Sequence, residues 1–197
     1  SLFSRAQELD RSRLSMEQQM LEQEALYASR QMKYSLLLAS LLVSTSFNVF
    51  AEEAKALSAH EEVTINAPAA KVWSTVSNFN DLGAWHPAVK STEIVSGLNN
   101  KVGAVRLLTL QDGGTIKEKL LAYNAKGKTF KYSILEGVLP VSEYVSSVTV
   151  KADGKDKSVV VWEGSFKHKD GSDDATAVKT MTSVYRGGLD NLKKISE

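Results

Sequence analysis

The sequence predicts an α+β fold in which a seven-stranded, curved antiparallel sheet wraps a long C-terminal helix, with two short helices after the first strand. Three observations carry this. From Val89 to His168 apolar residues recur with period two, interrupted by clusters of Gly, Asn and Asp that make turns. Ala175, Val178, Met181, Tyr185, Leu189 and Leu192 recur at three- and four-residue spacing, the stripe of an amphipathic helix. Between these regions and the first strand, Val72, Trp73 and Val76 take helical spacing after Asn66-Ala67-Pro68, and proline suits a first helical turn.

Taken in order, residues 1–31 are rich in Gln, Glu, Leu and Met and suit a frayed helix. They read as sequence upstream of a natural start at Met32; an amphipathic helix that docks on a partner is the alternative. Residues 32–51 have a signal peptide's layout: Lys33, an uncharged apolar run over 35–47, then the small residues Val49 and Ala51 at a cleavage position that would leave Glu52 first. That run is shorter than the roughly 20 residues needed to cross a bilayer as a helix. The expectation is a periplasmic or secreted protein with no permanent membrane span after signal removal. A polar lead, 52–58, then precedes one domain, 59–197.

Within the domain the first strand is expected at 61–65, followed by the helix after Pro68 and a second short turn ending at Trp85-His86-Pro87. The further strands are expected at 91–95, 102–110, 115–123, 129–135, 144–150 and 158–168. Asp170, Ser172, Asp173 and Asp174 supply N-cap candidates for the last helix. Gly187-Gly188 interrupts that helix. Two glycines there signal close packing, a kink or room for a ligand, since each disfavours a helix by about 1 kcal/mol against Ala.

Composition excludes several function classes. Lys plus Arg is 24 and Asp plus Glu is 23, so a net charge of +1 gives no global field for a nucleic acid. The chain has no cysteine, which removes disulfides, cysteine zinc sites and thiol catalysis. His60, His86 and His168 lie too far apart in sequence for a close ligand pair, so no metal is expected. No phosphate-binding loop, dinucleotide fingerprint or Gly-x-Ser-x-Gly occurs, and no cofactor is implied.

The expected site is a cavity between the sheet and the long helix. On the strand over 115–123, Ile116, Glu118, Leu120 and Ala122 share one face and Lys117 and Lys119 the other, which turns Glu118 inward. Arg106 alternates with Leu108 and Leu110, and is either an anion ligand or, on the more ordinary reading, half of a surface ion pair. Trp73 and Trp162 read as core, and His60 and His168 as solvated. Trp85, His86, Met181, Tyr185 and Gly188 are further candidate contacts, the last three on the long helix. Lys117, Lys119, Lys126, Lys128 and Lys131 form either a basic edge for an acidic periplasmic partner or a solvated sheet face.

The order of several segments resembles the START-like, or SRPBCC, superfamily near the polyketide cyclase/dehydrase and lipid-transport group. These are Ile65 to Pro68 leading to Val72-Trp73, Trp85 to Val89, Val102 to Arg106, Gly113 to Leu120, Leu139-Pro140 before Tyr144, and Tyr185 to Leu192. The exported form is similar to MxaD-like periplasmic proteins, which are associated with methanol oxidation. The resemblance implies a helix-grip (Bet v 1/START-like) fold holding a hydrophobic or amphipathic small molecule. Plant abscisic-acid receptors of this superfamily have a pocket that is polar at one end, and the positions that match it here are His86, Glu118, Tyr144 and Glu163. His86 stands where those receptors carry a lysine, and Leu110 to Gly114 is a tight turn in place of their gating loop, so neither a ligand carboxylate nor a hormone-style gate is implied. Glu118, His86 and Tyr144 are the catalytic candidates if the pocket supports cyclisation or dehydration, with repulsion between Glu118 and Glu163 raising the pKa of at least one of them. The alternative is that these groups only hydrogen-bond one another inside a binding pocket.

Overall fold

Buried and exposed side chains alternate along the strands and set the architecture. The computed structural model describes residues 2–38 and 55–197, which fall in two units, 1–51 and 52–197. In the first, α1 (Leu2–Leu38) is one helix on which Leu2, Phe3, Leu9, Met20 and Tyr27 are exposed. Helix over 2–31 agrees with the helix-suited composition of that segment. Residues 32–38 continue it, and the rest of the expected signal peptide, 39–51, lies outside the described residues. No helix among the described residues is long and apolar enough to cross a membrane.

The second unit begins with β1 (Leu57–Ile65), α2 (Ala69–Val76) and a 3-10 turn at Leu82–Ala84. The meander follows as β2 (Val89–Ser96), β3 (Val105–Leu110), β4 (Thr115–Asn124), β5 (Thr129–Gly137), β6 (Val141–Ala152) and β7 (Ser158–His168), and α3 (Asp174–Ser196) closes the chain. The strands form one sheet in the order β1-β7-β6-β5-β4-β3-β2, with every neighbouring pair antiparallel. Thus the predicted α+β helix-grip topology, seven strands and one covering helix, is the one observed.

Boundaries moved where local chemistry hides the pattern. β1 starts at Leu57, inside the expected polar lead, because the polar run His60-Glu61-Glu62 interrupts the apolar signal of Leu57 and Ala59. β3 starts at Val105, since Gly103 takes φ 93 in a turn before it. β6 starts at Val141, three residues early: a register shift between Ser142 and Val145, with Glu143 at φ 49, breaks the alternation there. Register shifts also occur in the β2/β3 and β4/β5 pairings, and irregularities of this kind bend and twist a sheet locally. The shift between Leu120 and Ala122 reverses the parity of β4, so Ala122, expected inward, is exposed and Tyr123 points in against Trp73.

α3 is capped by Asp173, whose Oδ1 accepts from the Thr176 amide at 2.7 Å. Its buried stripe is Ala177, Met181, Tyr185, Gly188, Leu189 and Leu192; Ala175 is exposed and Val178 half-buried. This stripe lies mainly over β1 and β7. Each fully buried Leu or Met contributes about 1.5–3 kcal/mol, so Met181, Leu189 and Leu192 tie the helix firmly to the sheet.

Candidate functional site

A largely enclosed cavity of about 80 Å³ lies between the sheet and the first half of α3. Leu82, His86, Ala88 and Val89 come from the 3-10 turn and the start of β2, and Leu108, Leu110, Ile116, Glu118, Tyr132, Ile134, Tyr144 and Trp162 from inward positions of β3 to β7. Leu139, Met181 and Val184 complete the wall. The lining is apolar except for five side chains that carry polar atoms: His86, Glu118, Tyr132, Tyr144 and Trp162, the last through its indole N–H. That volume is roughly half of the ~150 Å³ that accommodates benzene in an engineered protein cavity. Only a few heavy atoms fit without movement of the walls.

Glu118 does point inward, and Arg106 is its partner. Arg106 Nε and Nη2 both reach Glu118 Oε1, at 2.9 and 2.7 Å, and Nη1 donates to the Phe79 carbonyl at 2.8 Å. The two residues face each other across the β3/β4 ladder. Both are buried, at 2% and 4% exposure, and the guanidinium lies 4.0 Å from the Phe79 ring centroid. The surface ion pair expected for Arg106 is therefore a buried one, because inward parity on β3 carries it with Leu108 under the sheet. Burial raises the Glu118 carboxyl above its ordinary range, and the Arg106 charge opposes that rise. Oε2 has no hydrogen-bond partner among the described residues, and Glu118 is part of the cavity wall.

His86 is held on both nitrogens by backbone. Nε2 lies 2.8 Å from the Val184 carbonyl, so it carries the proton, and Nδ1 accepts from the Ala88 amide at 3.2 Å. Burial lowers its pKa, and the bond to Val184 opposes that. Gly188 makes the arrangement sterically feasible. A Cβ there would stand 2.7 Å from His86 Cδ2, 2.8 Å from Trp162 Cζ3 and 3.1 Å from Trp85 Cζ3. The glycine thus admits an aromatic cluster against the helix and leaves no room for a ligand at that point. Asn191 Nδ2 donates to the Trp85 carbonyl at 2.9 Å, a second tie between α3 and this segment.

Behind the cavity runs a chain of hydroxyls whose direction is fixed by its end. Ser146 Oγ donates to the Glu163 carbonyl at 2.7 Å, so it can only accept from Tyr185 Oη at 3.2 Å. Tyr185, having spent its proton, accepts from Tyr144, and Tyr144 in turn accepts from Tyr132 at 3.0 Å. Trp162 Nε1 donates to both Tyr132 Oη and Ser146 Oγ. Burial keeps these phenols protonated: Tyr132 is pushed up to about 12, and Tyr144 and Tyr185 rise well above their ordinary value. The ring of Tyr185 stacks on Trp162 at 4.5 Å, and a side chain at Gly164 would collide with Tyr185 Oη.

Of the residues expected at the site, His86, Glu118, Tyr144 and Met181 line one cavity. Arg106 supports Glu118 from behind, while Trp85, Tyr185 and Gly188 form the packed layer around Trp162. Glu163 does not belong. Trp162 takes the inward position on β7, so Glu163 is exposed on the outer face of the sheet, where its Oε2 meets His60 Nδ1 at 2.9 Å. The expected pair of repelling carboxylates is consequently absent, and Glu118 has a cation beside it instead. His60 and His168 are exposed as expected, each bound to carboxylates. Tyr132, Trp162 and Ser146 were missed as site residues. Parity was the available signal, because Tyr132 alternates with Phe130 and Ser146 with Tyr144 and Val148.

A long helix gripped by a curved antiparallel sheet over an internal cavity defines a Bet v 1-like, helix-grip protein. Residues 56–197 match the family described as polyketide cyclase/dehydrase and lipid transport, and the chain belongs to that family. It is 27% identical over 146 residues to the MLP-like protein 423 of Arabidopsis thaliana, covering 70% of this chain and 90% of the relative. It is also 27% identical over 141 residues to the abscisic acid receptor PYL6 of the same plant, covering 68% of this chain and 66% of the receptor. Among solved structures, the Bacillus cereus protein XoxI superimposes with a TM-score of 0.66 at 30% identity, over 71% of this chain and 95% of that one. A Nitrosospira multiformis protein does so at 0.61 and 30%, over 71% and 96%.

Proposed function

We propose that residues 52–197 form a binding domain for a small apolar or amphipathic molecule held between the sheet and α3, acting by sequestration and not by catalysis. One observation carries this: the cavity wall is apolar, and the acid-base groups in it already have structural partners. His86 spends both nitrogens on backbone, Glu118 is paired with Arg106, and the tyrosines bond one another. A general base needs a free lone pair and a pKa near the working pH. Among the described residues of the wall, Glu118 Oε2 is the one carboxylate or imidazole atom without a hydrogen-bond partner. The cavity volume limits an unassisted occupant to a few heavy atoms; a larger ligand requires new rotamers, for which Met181, with three rotatable bonds, is suited. Native mass spectrometry and solvent extraction of the purified domain test the reading. Co-purifying small molecules lost on Leu108→Trp, which fills the cavity, support it; turnover of a bound compound that Glu118→Gln abolishes would replace it with the cyclase or dehydratase reading.

We propose further that the domain works outside the cytoplasm. Support comes from the Lys33, 35–47 and Val49/Ala51 pattern. N-terminal sequencing of protein from a periplasmic or culture fraction should return Glu52, and a mature chain that retains residues before Met32 refutes export by this signal. An accessory role beside an acidic partner protein draws on Lys119, Lys126 and Lys131, all exposed; Lys117 is already paired with Glu136. Capture of a partner that weakens as salt rises would support it.

A further inference from the structure

The polar part of the cavity accepts hydrogen bonds and donates none. Every proton on it is already committed. The His86 Nε2 proton goes to Val184, and the hydroxyl protons of Tyr132 and Tyr144 go to the next oxygen in a chain that ends on the Glu163 carbonyl. What faces the cavity is lone pairs. Glu118 Oε2 is the strongest of them: a carboxylate oxygen of a side chain 96% shielded from solvent, given its 4% exposure, with no partner among the described residues. That oxygen keeps slight solvent contact and is not one of the fully buried atoms left without a partner, so a ligand donor would replace water at an acceptor that no protein group satisfies.

Charge narrows the ligand further. Arg106 neutralises Glu118 from the side away from the cavity, so the pair sums to zero. An anionic ligand would meet the carboxylate before the guanidinium, and a cationic one would leave a net buried charge; both are disfavoured at low dielectric. We infer that the cavity selects a neutral molecule with an apolar body and one hydroxyl or N–H donor, which bonds to Glu118 Oε2. This rests on the binding reading above and names its ligand class.

The test is a set of four-carbon probes titrated into the full chain: n-butanol, butanone, butyrate and n-butylammonium, read by methyl NMR shifts of Met181, Leu108 and Val184. The alcohol should bind at least about tenfold more tightly than the ketone, which corresponds to about 1.4 kcal/mol and to one hydrogen bond that an acceptor-only ligand does not make. Butyrate and butylammonium should also be weaker. In Glu118→Gln the amide oxygen stays on Arg106 and its NH₂ turns to the cavity, so the preference should shift toward butanone. A ketone, carboxylate or ammonium that equals the alcohol in the wild type overturns the inference but leaves the binding domain standing, as does an alcohol preference undiminished in a folded Glu118→Gln. Absence of methyl shifts with all four probes overturns both. If Glu118→Gln does not fold, the wild-type series decides alone.

Discussion

Replacing each of two adjacent glycines in α3 by alanine should change stability in opposite directions. At Gly187 an added Cβ meets nothing closer than His86 Cε1 at 4.0 Å, so the substitution gains only helix propensity, about 0.8–1 kcal/mol. At Gly188 the same gain applies, but the methyl would lie 2.7 Å from His86 Cδ2 and 2.8 Å from Trp162 Cζ3. Neither ring is free to swing: the imidazole is bonded to Val184 and Ala88, and the indole to Tyr132 and Ser146. Overpacking a core costs about 1–3 kcal/mol, and displacing the imidazole from the Val184 carbonyl adds about 1 kcal/mol. Gly188→Ala should therefore be destabilised by about 1–3 kcal/mol net. With about 2–4 °C per kcal/mol for chains of this size, urea or thermal unfolding should place the two variants several degrees apart on either side of wild type. If Gly188→Ala is as stable as Gly187→Ala, the packing explanation of this glycine is wrong.

Four other outcomes follow from the same geometry. His86 has a lowered pKa in the folded state, so its contribution to stability is complete above about pH 6.5, the value expected when unfolded, and is lost as pH falls toward the folded pKa. Stability against pH compared between wild type and His86→Gln should show this slope vanish in the variant, and identical slopes refute the assignment. His60 is raised by Glu62 and Glu163, which gives the opposite sign: its help is present at low pH and fades as pH rises through the folded value. Being half exposed, it should lose that effect in high salt while His86 keeps its own. Arg106→Met alone should cost about 3–5 kcal/mol by stranding the Glu118 charge, and Arg106→Met with Glu118→Leu should recover most of it; an additive double variant in denaturant titrations would contradict the coupling. Glu163→Gln should leave binding of a cavity probe such as n-butanol within about twofold, because the residue is on the far side of the sheet; a tenfold change would return Glu163 to the site.

The fold was legible in the sequence because it is written in local periodicities. Period two over 158–168 returned β7 with both ends correct, and Asp173 and the Met181-Tyr185-Leu189-Leu192 spacing returned α3. Glu118 was also legible, since parity on β4 holds as far as Leu120. What failed did so at irregularities that no periodicity announces: the bulge after Leu120 that turned Ala122 out, and the left-handed Glu143 that hid the start of β6. Glu163 was misplaced for another reason. Its place at the pocket came from the resemblance alone, whereas a strand sends adjacent side chains to opposite faces and Trp162 takes the inward one.

Residue order alone thus determined which segments are strands, which is the covering helix, and which face each side chain takes along an unbroken strand, since all of these depend on neighbours within a few positions. Only the folded chain decided the pairings that give those residues their chemistry. Arg106 meets Glu118 across a strand ladder, His86 reaches a helix carbonyl 98 positions away past a missing Cβ, and four hydroxyls from β5, β6 and α3 line up so that no proton is left for the cavity. Hydrogen bonding and desolvation act at about 3 Å through space, and contacts at that range between distant segments exist only once the sheet has curled around the helix.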